Sequence, residues 1–534
     1  MKKWTGYGRE LILLDWKKIN RFIGLVSWIC LVTVSLVFEV SQDVDVWWHL
    51  KTGKLIWEQG RIFTTDIFSY TGFGNEWINH EWLFEVIYHL FYRTWGLHGL
   101  ILARCLIGVL TFGSIYLISF WMSQQRLLSL LGASVAFRII ALRYFDRPSM
   151  LTTLFIVWIL LLVTGVRMGN LPKKLYGLFL ILFPFWANIH GGIILGLAIL
   201  GILWSSDVFR RWKGGLTHEG AWWYREEVLF FLVVLSSFFN PFGFRILAFP
   251  FENMGLTVAI EHTLEWYGIS NPYMIMLPEG RWIPFLFLLL GFSFFLSRGF
   301  LDLSYYLVLA LTALMTVKAV RFLSEFACVA VPLSVFSLSG LTKRWRYSPA
   351  IFLILNLVFF GYYLRFAFLR GGLEKQEARM ALMTTNCHPS DLVDFLEEHH
   401  ISGRVFNDLN LGAYLIFRRS PEEKVFFDSR HNIYGNTFYT NYLQAAGDRF
   451  AFEKISQEAG PFDYIVLNAW GRRFGGLHTY LWGRPEWHLV YASVLGLVYV
   501  RDVDRFRSVI EQFDIKDPPD ILLRDMPFLK SRIL

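Results

Sequence analysis

Apolar runs of membrane-spanning length recur along most of the chain and are separated by short polar or aromatic loops. Windows of about 20 apolar residues are what a helix needs to cross a bilayer. They predict spans at 22–40, 98–122, 127–145, 150–166, 175–189, 193–206, 228–240, 283–297, 303–317, 322–341 and 349–367, about eleven in all. After residue 367 the pattern changes. Short β-rich runs, "RVFND", "AYLIF", "KVFFD", "DYIVLNAW" and "LGLVYVRD", alternate with helical stretches such as "SDLVDFLEEHH" and "FYTNYLQAAG". That alternation predicts a compact soluble α/β or α+β domain over 368–534, following an α-helical multispanning membrane domain over 1–367.

Between the first two spans, the loop 41–97 is aromatic throughout yet too interrupted to cross a bilayer. Two helices are predicted within it. "WWHLKTGKLIWEQG" stops at Gly60, and "EWLFEVIYHLFYRTWG" places Glu85, His89 and Arg93 four apart on one polar stripe, expected to face solvent as the helix lies in the interface. A third interfacial stretch, "NPFGFRILAFPFENM", belongs to a loop at 241–282.

Composition fits a membrane protein: 54% of the 534 residues are hydrophobic and only 18% are charged. The net charge of +8 does not indicate nucleic acid, because Lys and Arg gather at the N-terminus and in alternate short loops: Arg167, Lys173 and Lys174; Arg210, Arg211, Lys213 and Arg225; Lys343, Arg344 and Arg346. By the positive-inside rule these loops are cytoplasmic. An odd number of spans then puts the C-terminal domain on the extracytoplasmic side of the inner, cytoplasmic membrane. The first segment lacks a small-residue cleavage site and is read as a retained helix. Of four cysteines only Cys387 lies outside the spans, so neither a disulfide framework nor a zinc cluster is expected.

Ionisable groups at membrane depth are costly and usually face a cavity. Here they concentrate at the outer ends of unconnected segments, with the polar Asn188 among them: Asp43, Asp45, His49, Asp66, His80, Glu81, Arg143, Asp146, Arg147, His190, Glu261, His262, Glu265, Lys318, Arg321 and Glu325. One wet site at the outer boundary accounts for all of them. A carboxylate there can accept a proton from a hydroxyl or hold a divalent cation, and Arg can hold a departing phosphate. Sugar transfer from a lipid phosphate needs both, with aromatic side chains for the sugar faces and the prenyl chain.

The order of a first span, an acid at its outer end, an external loop with two interfacial helices, further spans and a soluble outer domain resembles the GT-C superfamily of polyprenyl-phosphate-sugar-dependent glycosyltransferases. "DVDVWWHLKTGKLIWEQGRIFTTDIFSYTGFGNEWINHEWL", "FDRPSM", "NIHGG", "NPFG" and "GRVFNDLNLGAYLIF" are similar to a group of bacterial membrane proteins placed near that superfamily. In the oligosaccharyltransferase branch the catalytic Asp is followed by a Pro, aromatics and a basic residue. "DVWWHLK", from Asp45 to Lys51, is similar, with Val46 in place of the Pro.

The resemblance therefore implies Asp45 as catalytic carboxylate, with Glu81 as the counterpart of the second acid and Asp43 beside them. Magnesium or manganese is the ion that Asp43, Asp45 and Glu81 could hold. Arg147 and Arg321 are the expected phosphate ligands. Trp47, Trp48, His49, Asp66, His80 and His190 are the expected substrate contacts. The expected partners are a polyprenyl-phosphate-linked sugar, an acceptor glycan, lipid or protein, and membrane lipid.

Plainer readings compete. Asp45 and Glu81 each precede a predicted helix and could simply cap it. Arg321 and Glu325 could form an i,i+4 ion pair within a span, and His190 could satisfy a helix end beside Asn188. Two other function classes remain: a glycan polymerase or ligase using a prenyl-diphosphate-linked chain, leaning on Arg and His, and a non-enzymatic transporter or scaffold. The latter predicts polar residues along whole spans, and here they gather at one end.

Overall fold

The computed structural model describes residues 43–140, 144–214, 225–272, 283–288, 291, 302–342, 350–358, 361, 389–468, 475–482, 484–493 and 495–517. The expected span at 22–40, just over half of 283–297 and just under half of 349–367 lie outside the described residues, as do Arg143 and Cys387.

Two helices fill the first loop. α1 (Val46–Gln59) ends at Gly60, whose positive φ of 64° lets its N–H turn back onto the Ile56 carbonyl. α2 (Trp82–Trp95) packs on α1 at Gly53, where an added Cβ would strike the Glu85 carbonyl. This close approach corrects the expected solvent-facing stripe, because Glu85 is fully buried and His89 is 8% exposed against α1, and only Arg93 lies open. Asn79 Nδ2 (2.8 Å) and His49 Nδ1 (3.4 Å) meet the Glu85 carboxyl instead of water.

The membrane region follows as α3 (Leu97–Ser123), α4 (Arg126–Ile140), α5 (Ser149–Arg167), α6 (Phe179–Ala187), α7 (Ile193–Gly214) and α8 (Glu226–Ser236), then α9 (Arg245–Asn253), α10 (Thr257–His262), α11 (Leu303–Lys318) and α12 (Leu323–Thr342). Among the described residues four helices are long and apolar enough to cross a bilayer: Leu97–Ser123, Ser149–Arg167, Ile193–Lys213 and Val320–Thr342. The expected spans 127–145, 175–189 and 228–240 are helical over the shorter α4, α6 and α8. Helices α3, α4, α5 and α12 pack together through fully buried side chains such as Ile115, Ala136, Ile156 and Ala330.

α5 runs away from the first loop for 19 residues, a rise of about 28 Å. At its far end Arg167 meets Asp207 (3.1 Å) and Asp302 (3.6 Å), and Arg211 meets Glu226 (3.0 Å). The basic loops and the clustered acids of the first loop therefore occupy opposite ends of the bundle.

The C-terminal region contains α13 (Ser390–Glu398), β1 (Val405–Asn407), α14 (Leu409–Arg419), α15 (His431–Gly447), α16 (Arg449–Ala459), β2 (Tyr464–Leu467), α17 (Gly475–Trp482), β3 (Trp487–Ala492), β4 (Leu497–Arg501) and α18 (Arg507–Phe513). Its sheet has the order β1-β2-β4-β3, parallel only between β1 and β2. Two predicted strands are corrected. "AYLIF" is helical within α14, where Asp408 caps the start by accepting from Asn410 N (2.7 Å) and both faces of the run are buried. "KVFFD" is an extended segment that bridges to the first loop: Tyr70 N donates to Val425 O and Val425 N to Phe68 O, each at 3.0 Å.

That bridge is one of several contacts joining the two regions. Trp47 packs on Tyr414 (5.0 Å) and Phe417 (4.9 Å), Tyr70 Oη donates to Val405 O (2.8 Å), and Asn75 Nδ2 donates to Ile433 O (3.0 Å).

Candidate active site

A cavity of about 230 Å³ opens where α1, α2 and α5, the loops before α5 and α7, the turn before α12, and the start of α15 converge. Asp45, Trp48, His49, His80, Glu81, Arg147, His190 and Arg321 all line it, so eight of the eleven residues expected at the site meet in one place.

The other three lie behind its wall. Asp43 is buried and Trp47 is packed under α14. Asp66 accepts from Phe68 N (3.1 Å), Ser69 N (3.1 Å) and Ser69 Oγ (2.5 Å), and it pairs with Arg430 Nη2 (2.8 Å). Its contacts are those of a residue stapling the loop.

Asp45 occupies the N-cap position of α1 but makes no side-chain cap hydrogen bond, and the same is true of Glu81 before α2. Capping therefore does not account for either carboxylate. Instead Asp45 Oδ2 faces Arg147 Nη2 at 2.8 Å, and its Oδ1 accepts from the Ser429 hydroxyl.

Arg147 divides its guanidinium among three acids from two segments: Nε donates to Asp43, Nη2 to Asp45, and Nη1 to Glu265 at 3.3 Å. The other oxygen of Glu265 lies 3.6 Å from Arg321 Nη1, and the Arg321 guanidinium sits 4.2 Å above the Trp266 ring. Arg321 belongs to a 3₁₀ turn, Val320–Phe322, that leads into α12 and was expected within a continuous helix.

Glu81 has three imidazole neighbours: His80 at 3.5 Å, His49 at 3.9 Å and His190 at 4.0 Å. These are not ion pairs near neutral pH. Burial lowers His80 to about 4 and pushes His49 and His190 well below the usual histidine range, so all three rings are neutral. Burial, reinforced by the Asp45 charge, lifts Glu81 to about 8, so it carries a proton. His190 also meets Thr152 Oγ1 (2.8 Å), and Asn188 holds Trp82 Nε1 (2.8 Å) rather than facing the cavity.

With this geometry established, solved structures are informative. ArnT from Cupriavidus metallidurans bound to undecaprenyl phosphate superposes with a TM-score of 0.53 at 10% identity, covering 92% of this chain and 99% of that one. The Archaeoglobus fulgidus oligosaccharyltransferase tethered with an acceptor peptide gives 0.52 at 11% identity, covering 92% and 75%. This chain has the GT-C fold. The arabinofuranosyltransferase AftD from Mycobacteria also matches, with a TM-score of 0.50 at 13% identity over 92% of this chain and 40% of that one. No family model and no curated protein matches the sequence.

On this GT-C scaffold the positive charge facing Asp43 and Asp45 is a guanidinium. The Arg147 guanidinium already lies between Asp43 and Asp45, and Glu81 stands among neutral imidazoles. Among the described residues no group of three or more His, Cys, Asp or Glu is arranged as a metal site.

Two cavity residues, Ser429 and Asn432, carried no functional expectation, and for Arg430, which ends an apparent strand in the sequence, a binding role and an ordinary surface turn are equally good readings. Their only sequence signal is a polar run, "DSRHN", after an apolar one, which marks a loop but not what it faces.

The titrations give opposing pH terms. Glu81 binds its proton more tightly in the fold than at its ordinary value of 4.5, and burial moves Glu85 the same way. The stabilisation from Glu81 is complete below about pH 4.5 and is lost as pH rises through about 8, and that from Glu85 declines in the same direction. The three histidines act in the opposite sense: their stability is present above 6.5 and is lost as pH falls, through about 4 for His80. Above pH 6.5 only the carboxyl decline remains, at most about 1.4 kcal/mol per pH unit per group. The thermal midpoint of detergent-purified protein should fall between pH 6.5 and 8, and Glu81→Gln should flatten that fall. An equally steep decline in the variant would contradict the assignment.

Proposed function

We propose that the chain is an inverting membrane glycosyltransferase that moves a sugar from a polyprenyl-phosphate donor to an extracytoplasmic glycan, lipid or protein acceptor. The observation that carries this reading is the meeting of Asp45, Glu81, Arg147 and Arg321 in one cavity of a GT-C fold. In this reading Asp45 takes the proton of the acceptor hydroxyl as its oxygen attacks the anomeric carbon. The bond from that carbon to the phosphate oxygen breaks on the opposite face, so configuration inverts. Polyprenyl phosphate departs with the electron pair. Protonated Glu81 offers a hydrogen bond to a substrate oxygen, and the neutral histidines around it add no charge.

Glu265 indicates where the phosphate would sit. Its carboxylate bridges Arg147 and Arg321, and an incoming phosphate satisfies the same two guanidiniums by displacing it. Trp48 supplies an aromatic wall for the sugar. No step is assigned to a metal ion: Arg147 provides the positive charge between the acids. The basic ends of α5 and α7, opposite the cavity, support a topology of about eleven spans in the cytoplasmic membrane, with a cytoplasmic N-terminus and domain 368–534 outside.

The test is direct. Purified protein in detergent or nanodiscs is supplied with a panel of prenyl-phosphate hexoses and pentoses and candidate acceptors, and transfer is followed by mass spectrometry together with the anomeric configuration of the product. No transfer from any donor, or retention of configuration, defeats the proposal.

A further inference from the structure

The two oxygens of Asp45 are held from two different regions: Oδ2 by Arg147 before α5, and Oδ1 by the hydroxyl of Ser429 in the C-terminal region. One donor on each oxygen prevents the carboxylate from turning about its last bond and leaves a second lone pair on each for a substrate proton. We propose that Ser429 is a positioning residue for Asp45, so that the C-terminal domain completes the active site. This inference rests on the glycosyltransferase reading.

The placement of Ser429 is built in. The residues on either side of it are buried charges: Asp428 is fully buried and Arg430 is 4% exposed. Asp428 accepts from Arg430 N (3.0 Å), Arg430 Nε (2.8 Å) and Tyr434 Oη (2.6 Å). Arg430 Nη2 then crosses to the first loop, reaching Asp66 at 2.8 Å, with its guanidinium 4.7 Å above the Trp77 ring. A buried guanidinium shared by two buried carboxylates has a narrow choice of positions, because moving it strands charge in an apolar setting. The peptide between Asp428 and Arg430 is fixed in consequence, and the Ser429 side chain projects from it onto Asp45. A serine that served only packing would not need a latch on each side.

The experiment compares wild type, Ser429→Ala and Ser429→Thr in the transfer assay, with donor and acceptor varied separately. Loss of a hydrogen bond to a charged group that matters during proton transfer is expected to lower kcat by about tenfold to a hundredfold. KM for donor and acceptor should stay within about twofold, the thermal midpoint should be unchanged, and threonine, which keeps the hydroxyl, should restore most of kcat. Wild-type kcat in Ser429→Ala overturns the inference while leaving the glycosyltransferase reading intact. Threonine performing no better than alanine, or a loss confined to KM, overturns it as well. A wild-type protein that transfers no sugar defeats the functional reading, and this role with it.

Discussion

Asp45→Asn should reduce sugar transfer about a thousandfold at saturating donor while leaving the protein folded. A positioned general base contributes on the order of 10²–10⁴ in rate, and an amide cannot take the acceptor proton. The substitution is close to isosteric. Its oxygen can still accept from Ser429, and only the Arg147 Nη2 contact at 2.8 Å becomes an unfavourable meeting of two donors. The thermal midpoint should therefore drop by only a few degrees. Asp43→Asn gives the contrast, because Asp43 does not line the cavity and acts through Arg147. Single-turnover transfer with a labelled prenyl-phosphate sugar measures both. Wild-type rates in Asp45→Asn would remove the proposed base.

The second large effect concerns Arg147. Its three nitrogens pair with Asp43, Asp45 and Glu265, so Arg147→Ala leaves three carboxyl groups facing one another in a partly buried site. Removing one partner from a buried ion network typically costs 3–5 kcal/mol; with the Arg147 side chain 31% exposed, about 3 kcal/mol is the fair expectation. Lysine should recover only part of this, because one ammonium cannot reproduce a planar fork serving three acids. The vacated position also becomes attractive to a divalent cation. Differential scanning fluorimetry should find the wild type indifferent to chelator and to added magnesium or manganese, and Arg147→Ala stabilised by either metal. A wild type that loses stability in chelator would show that the guanidinium is not the cation of this site. In the transfer assay, a loss in Arg147→Ala far exceeding that in Asp45→Asn would favour prenyl-diphosphate chemistry over the base mechanism.

Much of the site was legible because of a single cost. Charges that must sit at the end of an apolar bundle gain by converging on one wet space, so listing the ionisable groups at the outer ends of separate segments anticipated the company of Asp45, Glu81, His190, Arg147 and Arg321. Local pattern carried the long helices α3, α5, α7 and α12 for a similar reason: a run of apolar side chains has few alternatives.

The failures share a cause too. The stripe of Glu85 and His89 has the spacing of a solvated face, but Gly53 on α1 lets the two helices close over it. "AYLIF" is as β-prone as any strand here, yet burial on both sides and the Asp408 cap make it a helix. Ser429 could not be found at all, and Arg430 could not be tied to its role, because their partners Asp45 and Asp66 lie in another region of the chain and no periodicity encodes a pairing over that separation.

That separation has a consequence for how the protein is made. Ser429 follows Asp45 by 384 residues, and a chain is synthesised from its N-terminus. The nascent polypeptide thus carries its acids long before it carries the hydroxyl and the arginine latch that align them. Under the proposed function, premature discharge of a lipid-linked sugar by a half-finished translation product is guarded against by chain order alone, and a truncated copy left in the membrane would be a poor catalyst rather than a leaky one.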